Sequence, residues 1–225
     1  MMLKQKLKQR FHRSIIGNVI EGYRIKKTYA EGLGKHKVTT VPQTIKQLAV
    51  RALAQKYRIR VFLETGTFLG DMVAAVTSDF DRIYSIELSE DLFNRAVKKF
   101  AGYNHVIILH GDSFKVMPEI LRHIDVPCLF WLGRHYSSGN TEKEKREATI
   151  LKELKQICAH PVKNHVILID DARLFKGKND YPTLESLKTF AEKGLSYYKF
   201  DVWNDIIRFY NKNVSGDFHM KHGNG

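Results

Sequence analysis

Carboxylates and glycines recur at one place in this sequence, directly after short apolar runs. The first run closes Val61-Phe62-Leu63-Glu64-Thr65-Gly66-Thr67-Phe68-Leu69-Gly70-Asp71. The second closes Ile83-Tyr84-Ser85-Ile86-Glu87-Leu88, and the third closes His110-Gly111-Asp112-Ser113. Gly66 lets the backbone turn sharply and approach a ligand closely. Gly70 gives the next helix room to pack on the strand. Glu64 and Asp71 flank that turn and would repel a pyrophosphate. They would accept a ligand that carries positive charge.

Two nucleotide motifs are excluded by residue identity. G-x-G-x-x-G starting at Gly66 would need glycines at 68 and 71, where Phe68 and Asp71 stand. No Gly-Lys-Ser/Thr follows, so this is not a phosphate-binding P-loop. An ammonium and a sulfonium on one ligand, as in S-adenosylmethionine (SAM), suit the acids better. Glu87 is placed to accept hydrogen bonds from both ribose hydroxyls, and Asp112 from an adenine amino group. The plain alternatives are a helix N-terminal acid for Glu87 and an N-cap for Asp112.

These residues need a scaffold that lines them up. Apolar runs fall at 59–63, 83–87, 105–109, 127–132 and 165–169. Segments of helical character lie between them, at 70–78, 90–101, 114–123 and 142–159. A helix begins near Pro42, with Ile45, Leu48, Ala49, Ala52 and Leu53 on one face. Another covers 184–193. Tyr197 to Val202 and Ile206 to Tyr210 flank Trp203-Asn204-Asp205 as an antiparallel hairpin. Such alternation predicts an α/β fold, Rossmann-like, with a seven-stranded mostly parallel sheet and helices on both faces. Ligands of open α/β sheets sit at the carboxyl ends of the strands, where the acids fall.

Glu64-x-Gly66-x-x-x-Gly70, Glu87 and Gly111-Asp112-Ser113 together resemble the class I SAM-dependent methyltransferases over about residues 42–212. The resemblance implies a SAM site of Glu64, Thr65, Gly66, Thr67, Gly70, Asp71, Glu87, Leu88, Asp112 and Ser113, and methyl transfer as the activity. Within that family the pattern is most similar to small-molecule O-methyltransferases, including the macrocin-type sugar enzymes. The resemblance, which extends to the catechol type, implies a divalent cation held by an acid ending strand four and two ligands ending strand five. Asp170 and Asp171 match the latter pair. Gly133 stands where the third acid belongs, so the expectation is no tightly bound metal.

The fourth run leads into Gly133-Arg134-His135-Tyr136, and the fifth into Asp170-Asp171-Ala172-Arg173. His135 is the candidate general base, because an imidazole titrates near neutrality. Asp170 is the second candidate, or the group that orients His135. Arg134, Arg173, Lys176 and Lys178 would make a positive pocket for a carboxylate- or phosphate-bearing acceptor. The plainer readings are a loop histidine and a solvated basic rim.

Composition bounds the remaining choices. The chain has 225 residues, two cysteines (Cys128 and Cys158) and a net charge of +13. Two cysteines exclude a disulfide scaffold or a Cys-rich zinc site. No apolar run approaches the roughly 20 residues of a membrane span, so a cytoplasmic protein is expected. Residues 1–40 hold ten Lys/Arg against two Asp/Glu, a surplus of +8, which leaves +5 for the rest. In residues 1–27 Leu3, Leu7, Phe11, Ile15 and Val19 recur every fourth position among basic residues. That pattern predicts a basic amphipathic helix, packed on its own domain or set against an anionic membrane surface or acidic partner. A linker to residue 40, a catalytic domain over 41–214 and a tail over 215–225 complete the expected organisation. The leading reading is an O-methyltransferase acting on a saccharide or another small anionic acceptor. A nucleic-acid methyltransferase is disfavoured, since the charge sits mostly in the arm and no Asn/Asp-Pro-Pro-Tyr/Phe run is present. A non-catalytic binding protein on a degenerate fold is the third reading, motivated by Gly133.

Overall fold

The computed structural model describes residues 41–133, 146–178, 181–194 and 197–212. The expectations for the arm and linker (1–40), for Arg134, His135 and Tyr136, and for the C-terminal tail lie outside the described residues. The chain divides into two compact units, Met1–Leu48 and Ala49–Gly225. The sheet and the candidate site belong to the second.

In chain order the elements are α1 (Gln43–Tyr57), β1 (Val61–Thr65), α2 (Asp71–Val76), β2 (Arg82–Glu87), α3 (Glu90–Phe100), β3 (Val106–His110) and α4 (Ser113–Arg122). They continue with β4 (Cys128–Leu132), α5 (Arg146–Ala159), β5 (Val166–Ile169), a 3-10 turn (Ala172–Leu174), α6 (Leu184–Gly194), β6 (Tyr198–Trp203) and β7 (Ile206–Asn211). The seven strands form one sheet in the order β3-β2-β1-β4-β5-β7-β6. Strands β1 to β5 pair in parallel, and β7 runs antiparallel to both β5 and β6. This is the mostly parallel α/β sheet with a terminal hairpin that the sequence pattern predicts.

Successive strand residues point to opposite faces, and the core divides accordingly. Leu63, Phe130, Leu132, Ile167 and Ile169 join one buried cluster with α4, α5 and α6. Phe62, Leu129, Trp131, Val166 and Leu168 join the other, with the second half of α1, α2 and α3. Strands β4 and β5 are buried at every position, which is why they read as unbroken apolar runs. No helix among the described residues is long and apolar enough to cross a membrane.

Several boundaries differ from the sequence pattern by one or two residues, three of them for a visible reason. The first strand is Val61–Thr65, not 59–63. Ile59 is buried but follows Arg58 in the left-handed region (φ 53°), so its apolar character marks burial rather than strand. The second helix starts at Asp71 because Gly70 itself is left-handed (φ 69°). Trp203 pairs with Ile206, which leaves Asn204 and Asp205 as a two-residue turn with φ of 48° and 62°. Positive φ at both centres is the type I′ geometry that matches strand twist.

At the amino end of the sheet two buried histidines form a chain of hydrogen bonds. The Cys128 N–H donates to His165 Nδ1 at 3.0 Å, so that ring carries its hydrogen on Nε2. His165 Nε2 lies 3.0 Å from His160 Nδ1, and His160 Nε2 lies 2.8 Å from the Leu121 carbonyl. Only two neutral rings, each protonated on Nε2, satisfy every contact. Burial first, then the electrostatic opposition of the neighbouring His160 and Lys163 to a second positive charge, push His165 down to about 4. The neutral ring therefore contributes stability that is fully present above its ordinary value and is lost as pH falls toward about 4. The span corresponds to roughly 3 kcal/mol. Histidine nitrogen chemical shifts followed by NMR should show His165 neutral at pH 5.5. A ring that titrates near its ordinary value would mean that this chain of bonds does not exist.

Candidate functional site

The register of the sheet brings the strand exits together. Thr65 pairs with Ile86 and with Leu132, and Glu87 pairs with His110. Leu132 pairs with Ile169. Backbone bonds carry the ladder one step further. The Gly66 N–H donates to the Ile86 carbonyl at 2.8 Å, Gly111 to Glu87 at 2.9 Å, Gly133 to Thr65 at 3.1 Å and Asp170 to Leu132 at 3.1 Å. Thus Gly66, Glu87, Gly111, Gly133 and Asp170 stand along one carboxyl edge. Gly66 (φ 87°) and Gly111 (φ 140°) occupy conformations that side chains disfavour.

Glu87 ties two loops together. Its Oε2 accepts from the Phe68 N–H at 2.7 Å and its Oε1 from the Ser89 N–H at 2.9 Å. The side chain is buried, yet each carboxylate oxygen keeps acceptor capacity beyond its backbone donor. Glu64 sits deeper, beneath the turn. Its Oε2 accepts from Ser85 Oγ at 2.7 Å, and Ser85 Oγ also meets Thr67 Oγ1 at 2.7 Å. Burial, opposed by the Ser85 bond and reinforced by Glu87 and Asp71, pushes the Glu64 carboxyl up to about 8. Thr65 and Thr67 are buried as well. Asp71 is mostly exposed and pairs with Lys99 at 3.4 Å. Phe68, Leu69 and Leu88 are exposed apolar side chains beside these loops.

Gly70 serves a different neighbour from the one expected. A Cβ there would lie 2.7 Å from the Phe100 ring, so the glycine makes room for α3 rather than for packing of α2 on its own strand. Asp112 is the N-cap of α4, accepting from the Phe114 N–H at 3.1 Å. Ser113 donates its hydroxyl to the buried Glu153 of α5.

After β5, Asp170 Oδ1 accepts from the Asp171 N–H at 2.7 Å. Asp171 has φ 59°, and its Oδ1 accepts from Arg173 Nη1 at 2.8 Å. The same guanidinium binds the Asp205 carboxylate, whose Oδ1 also accepts from the Arg173 N–H at 2.7 Å. Arg173 is therefore neutralised by two carboxylates and adds no net charge to a pocket. Lys176 and Lys178 are exposed. Among the described residues no group of three or more His, Cys, Asp or Glu could hold a metal ion. With Asp171 committed to Arg173 and a glycine at 133, the donor set here does not fit a divalent cation.

Four residues of this region carried no motif. Ser85 is a fully buried hydroxyl in strand β2, and Glu153 is a buried acid on α5. Gln156 lies on that helix too. Asp205 is half of a turn dipeptide. A polar residue at a buried position of a periodic pattern is the signal that marks Ser85 and Glu153.

The Glu64 geometry has a measurable consequence. A carboxyl raised in the folded state contributes stability that is fully present below its ordinary pKa and is lost as pH rises toward about 8. Glu64→Gln keeps an acceptor for Ser85 and cannot ionise. Its stability relative to the unaltered chain, read from thermal unfolding, should climb between pH 5 and pH 8 and level off above, by a few kcal/mol in all. Parallel pH curves for the two proteins would contradict the burial of a neutral Glu64.

Neither a family model nor a curated protein matches the sequence. Solved structures do. The O-methyltransferase TomG from Streptomyces achromogenes, in complex with SAM, aligns with TM-score 0.52 and 19% identity over 75% of this chain and 79% of that one. The N-methyltransferase NodS from Bradyrhizobium japonicum aligns with TM-score 0.51 and 11% identity over 75% and 96%. The 23S rRNA methyltransferase ErmE aligns with TM-score 0.52 and 12% identity over 78% and 70%. Their acceptors differ while the likeness does not, so the likeness concerns the scaffold. With the strand order and exit register described above, it shows that this chain has the fold of the class I SAM-dependent methyltransferases.

Proposed function

We propose that the chain is a SAM-dependent methyltransferase that acts on an oxygen of a small anionic acceptor, a saccharide being the leading class. The observation that carries the cofactor reading is Glu87. It is a buried carboxylate, held by two backbone N–H groups at the end of β2, one strand from the Gly66 turn and one from the Gly111 turn.

In this reading Glu87 accepts from the ribose hydroxyls and Asp112 from the adenine amino group. Gly66 and Thr67 let the backbone approach the amino-acid part, with Leu88 beside the base. Glu64 favours the cation from beneath the turn and gives up its proton as positive charge arrives. When bound, SAM supplies a methyl group made electrophilic by the sulfonium. The chain must align an acceptor oxygen in line with that bond and remove its proton. An imidazole nitrogen of His135 takes the proton, and Asp170 orients the ring or serves as base itself. Arg173 holds Asp171 and the hairpin tip in place around the acceptor. Lys176, Lys178 and Arg134 supply the positive charge that favours an anionic acceptor. No step needs a metal.

Calorimetric titration with SAM and with S-adenosylhomocysteine tests this reading. The chain should bind both, and Glu87→Ala should weaken binding at least tenfold, the loss expected for a charged hydrogen-bond acceptor. Absence of binding at millimolar SAM would leave the strand-end acids a structural role and return the non-catalytic reading. With methyl-labelled SAM, label should pass to anionic sugars rather than to RNA. Label in RNA, with affinity that falls steeply with salt, would replace the small-acceptor reading with the nucleic-acid one.

A further inference from the structure

We infer that Glu153 is a positioning residue: through Ser113 it sets which hydrogen bonds the Gly111–Ser113 turn offers to a nucleobase, and so selects adenine over a 6-oxo base. The inference rests on the proposed reading of that turn as the adenine end of the SAM site.

The first turn of α4 is held from behind by α5. Pro118 lies inside α4 and has no N–H, so the Phe114 carbonyl loses its helical donor four residues on. Gln156 of α5 replaces it, with Nε2 donating to that carbonyl at 2.9 Å. Lys152 places its ammonium over the Phe114 ring, 4.9 Å from the centroid. Glu153 lies between these two on the same helix, is 2% exposed and accepts the Ser113 hydroxyl. Three side chains of α5 thus grip Ser113 and Phe114, directly behind Asp112.

Hydrogen-bond polarity follows from the chemistry of the pair. An ionised Glu153 can only accept, so it takes the one hydrogen of Ser113. Ser113, half-buried at the carboxyl edge, then has only lone pairs left to offer. Asp112 beside it is also an acceptor. Two acceptors match an amino group and oppose a carbonyl oxygen. Without Glu153 the Ser113 hydrogen is free to turn outward and donate to a carbonyl. Burial, opposed by the Ser113 bond and reinforced by Asp112, pushes Glu153 up to about 7. Asp112 is the charged group facing it from the β3–α4 turn. A protonated Glu153 donates to Ser113 and releases the serine hydrogen, so the preference for adenine should narrow as pH falls from 8 to 6.

The test compares binding of S-adenosylhomocysteine and its hypoxanthine counterpart, S-inosylhomocysteine, at pH 6 and pH 8. The proteins are the unaltered chain, Glu153→Gln and Glu153→Leu. Leucine fills the space of the buried carboxylate and offers Ser113 no hydrogen-bond partner. The unaltered chain should prefer adenine at least tenfold at pH 8 and less at pH 6. Glu153→Gln cannot ionise and, like the protonated acid, can donate to Ser113, so it should show the narrowed preference at both pH values. Glu153→Leu should reduce it to about threefold or less at both pH values. A full preference in Glu153→Leu, whatever its melting temperature, would overturn the inference and leave the cofactor reading intact. Failure of the unaltered chain to bind S-adenosylhomocysteine would overturn the cofactor reading and this inference with it.

Discussion

A carboxyl group removed from water must find hydrogen-bond donors or keep its proton. The carboxyl edge of this sheet contains three such groups, and much of the local structure answers that demand. Glu87 finds two backbone N–H groups, and in accepting both it fixes the loop after β1 against the loop after β2. Glu64 finds Ser85, which in turn fixes Thr67. Glu153 finds Ser113 and thereby holds the start of α4. The loops that would touch a ligand are ordered by acids that lie beneath or behind them. Two of the three are raised toward or beyond neutrality. The edge therefore carries less negative charge when empty than its residue list suggests, and it can gain charge when a cation enters.

The sheet was largely legible in the sequence because its central strands β4 and β5 are buried on both faces. Runs such as Cys128–Leu132 and Val166–Ile169 admit few other assignments once they alternate with helical segments. The strand exits were legible because a glycine or an acid stands at the end of each parallel strand. Burial without strand geometry was not legible, as Ile59 shows. Contacts between elements distant in sequence were not legible either. Glu153 meets Ser113 across forty positions, and Arg173 meets Asp205 across thirty-two. Periodicity along one element marks a polar residue as buried but does not say which partner buries it. Asp112 carried both of its readings in the sequence, and the cap is the one the geometry shows directly. A cap leaves a second carboxylate oxygen, so the two readings are compatible.

The loop after β5 depends on the hairpin. The Asn204-Asp205 turn closes β6 on β7, and the Ala172 N–H donates to the Asp205 carbonyl at 2.8 Å while the Asp205 carboxylate holds Arg173. The loop leaving β5 is thus set by the last strands of the sheet, and Asp171 takes its left-handed conformation within that arrangement.

That anchoring changes what can attract an acceptor. A guanidinium bound by two carboxylates is a structural clamp, and it cannot also be the bidentate partner of a substrate anion without breaking a pair already made. The charge left on the β5 side is Lys176 and Lys178, both exposed. Exposed ammonium groups act through a field screened over about 8 Å at physiological salt. They raise the local concentration of an anion without fixing its orientation. An anion oriented at this end would have to be held by shape and by groups other than Arg173, near Gly133 and Asp170, whose backbone N–H groups extend the ladder from Thr65 and Leu132.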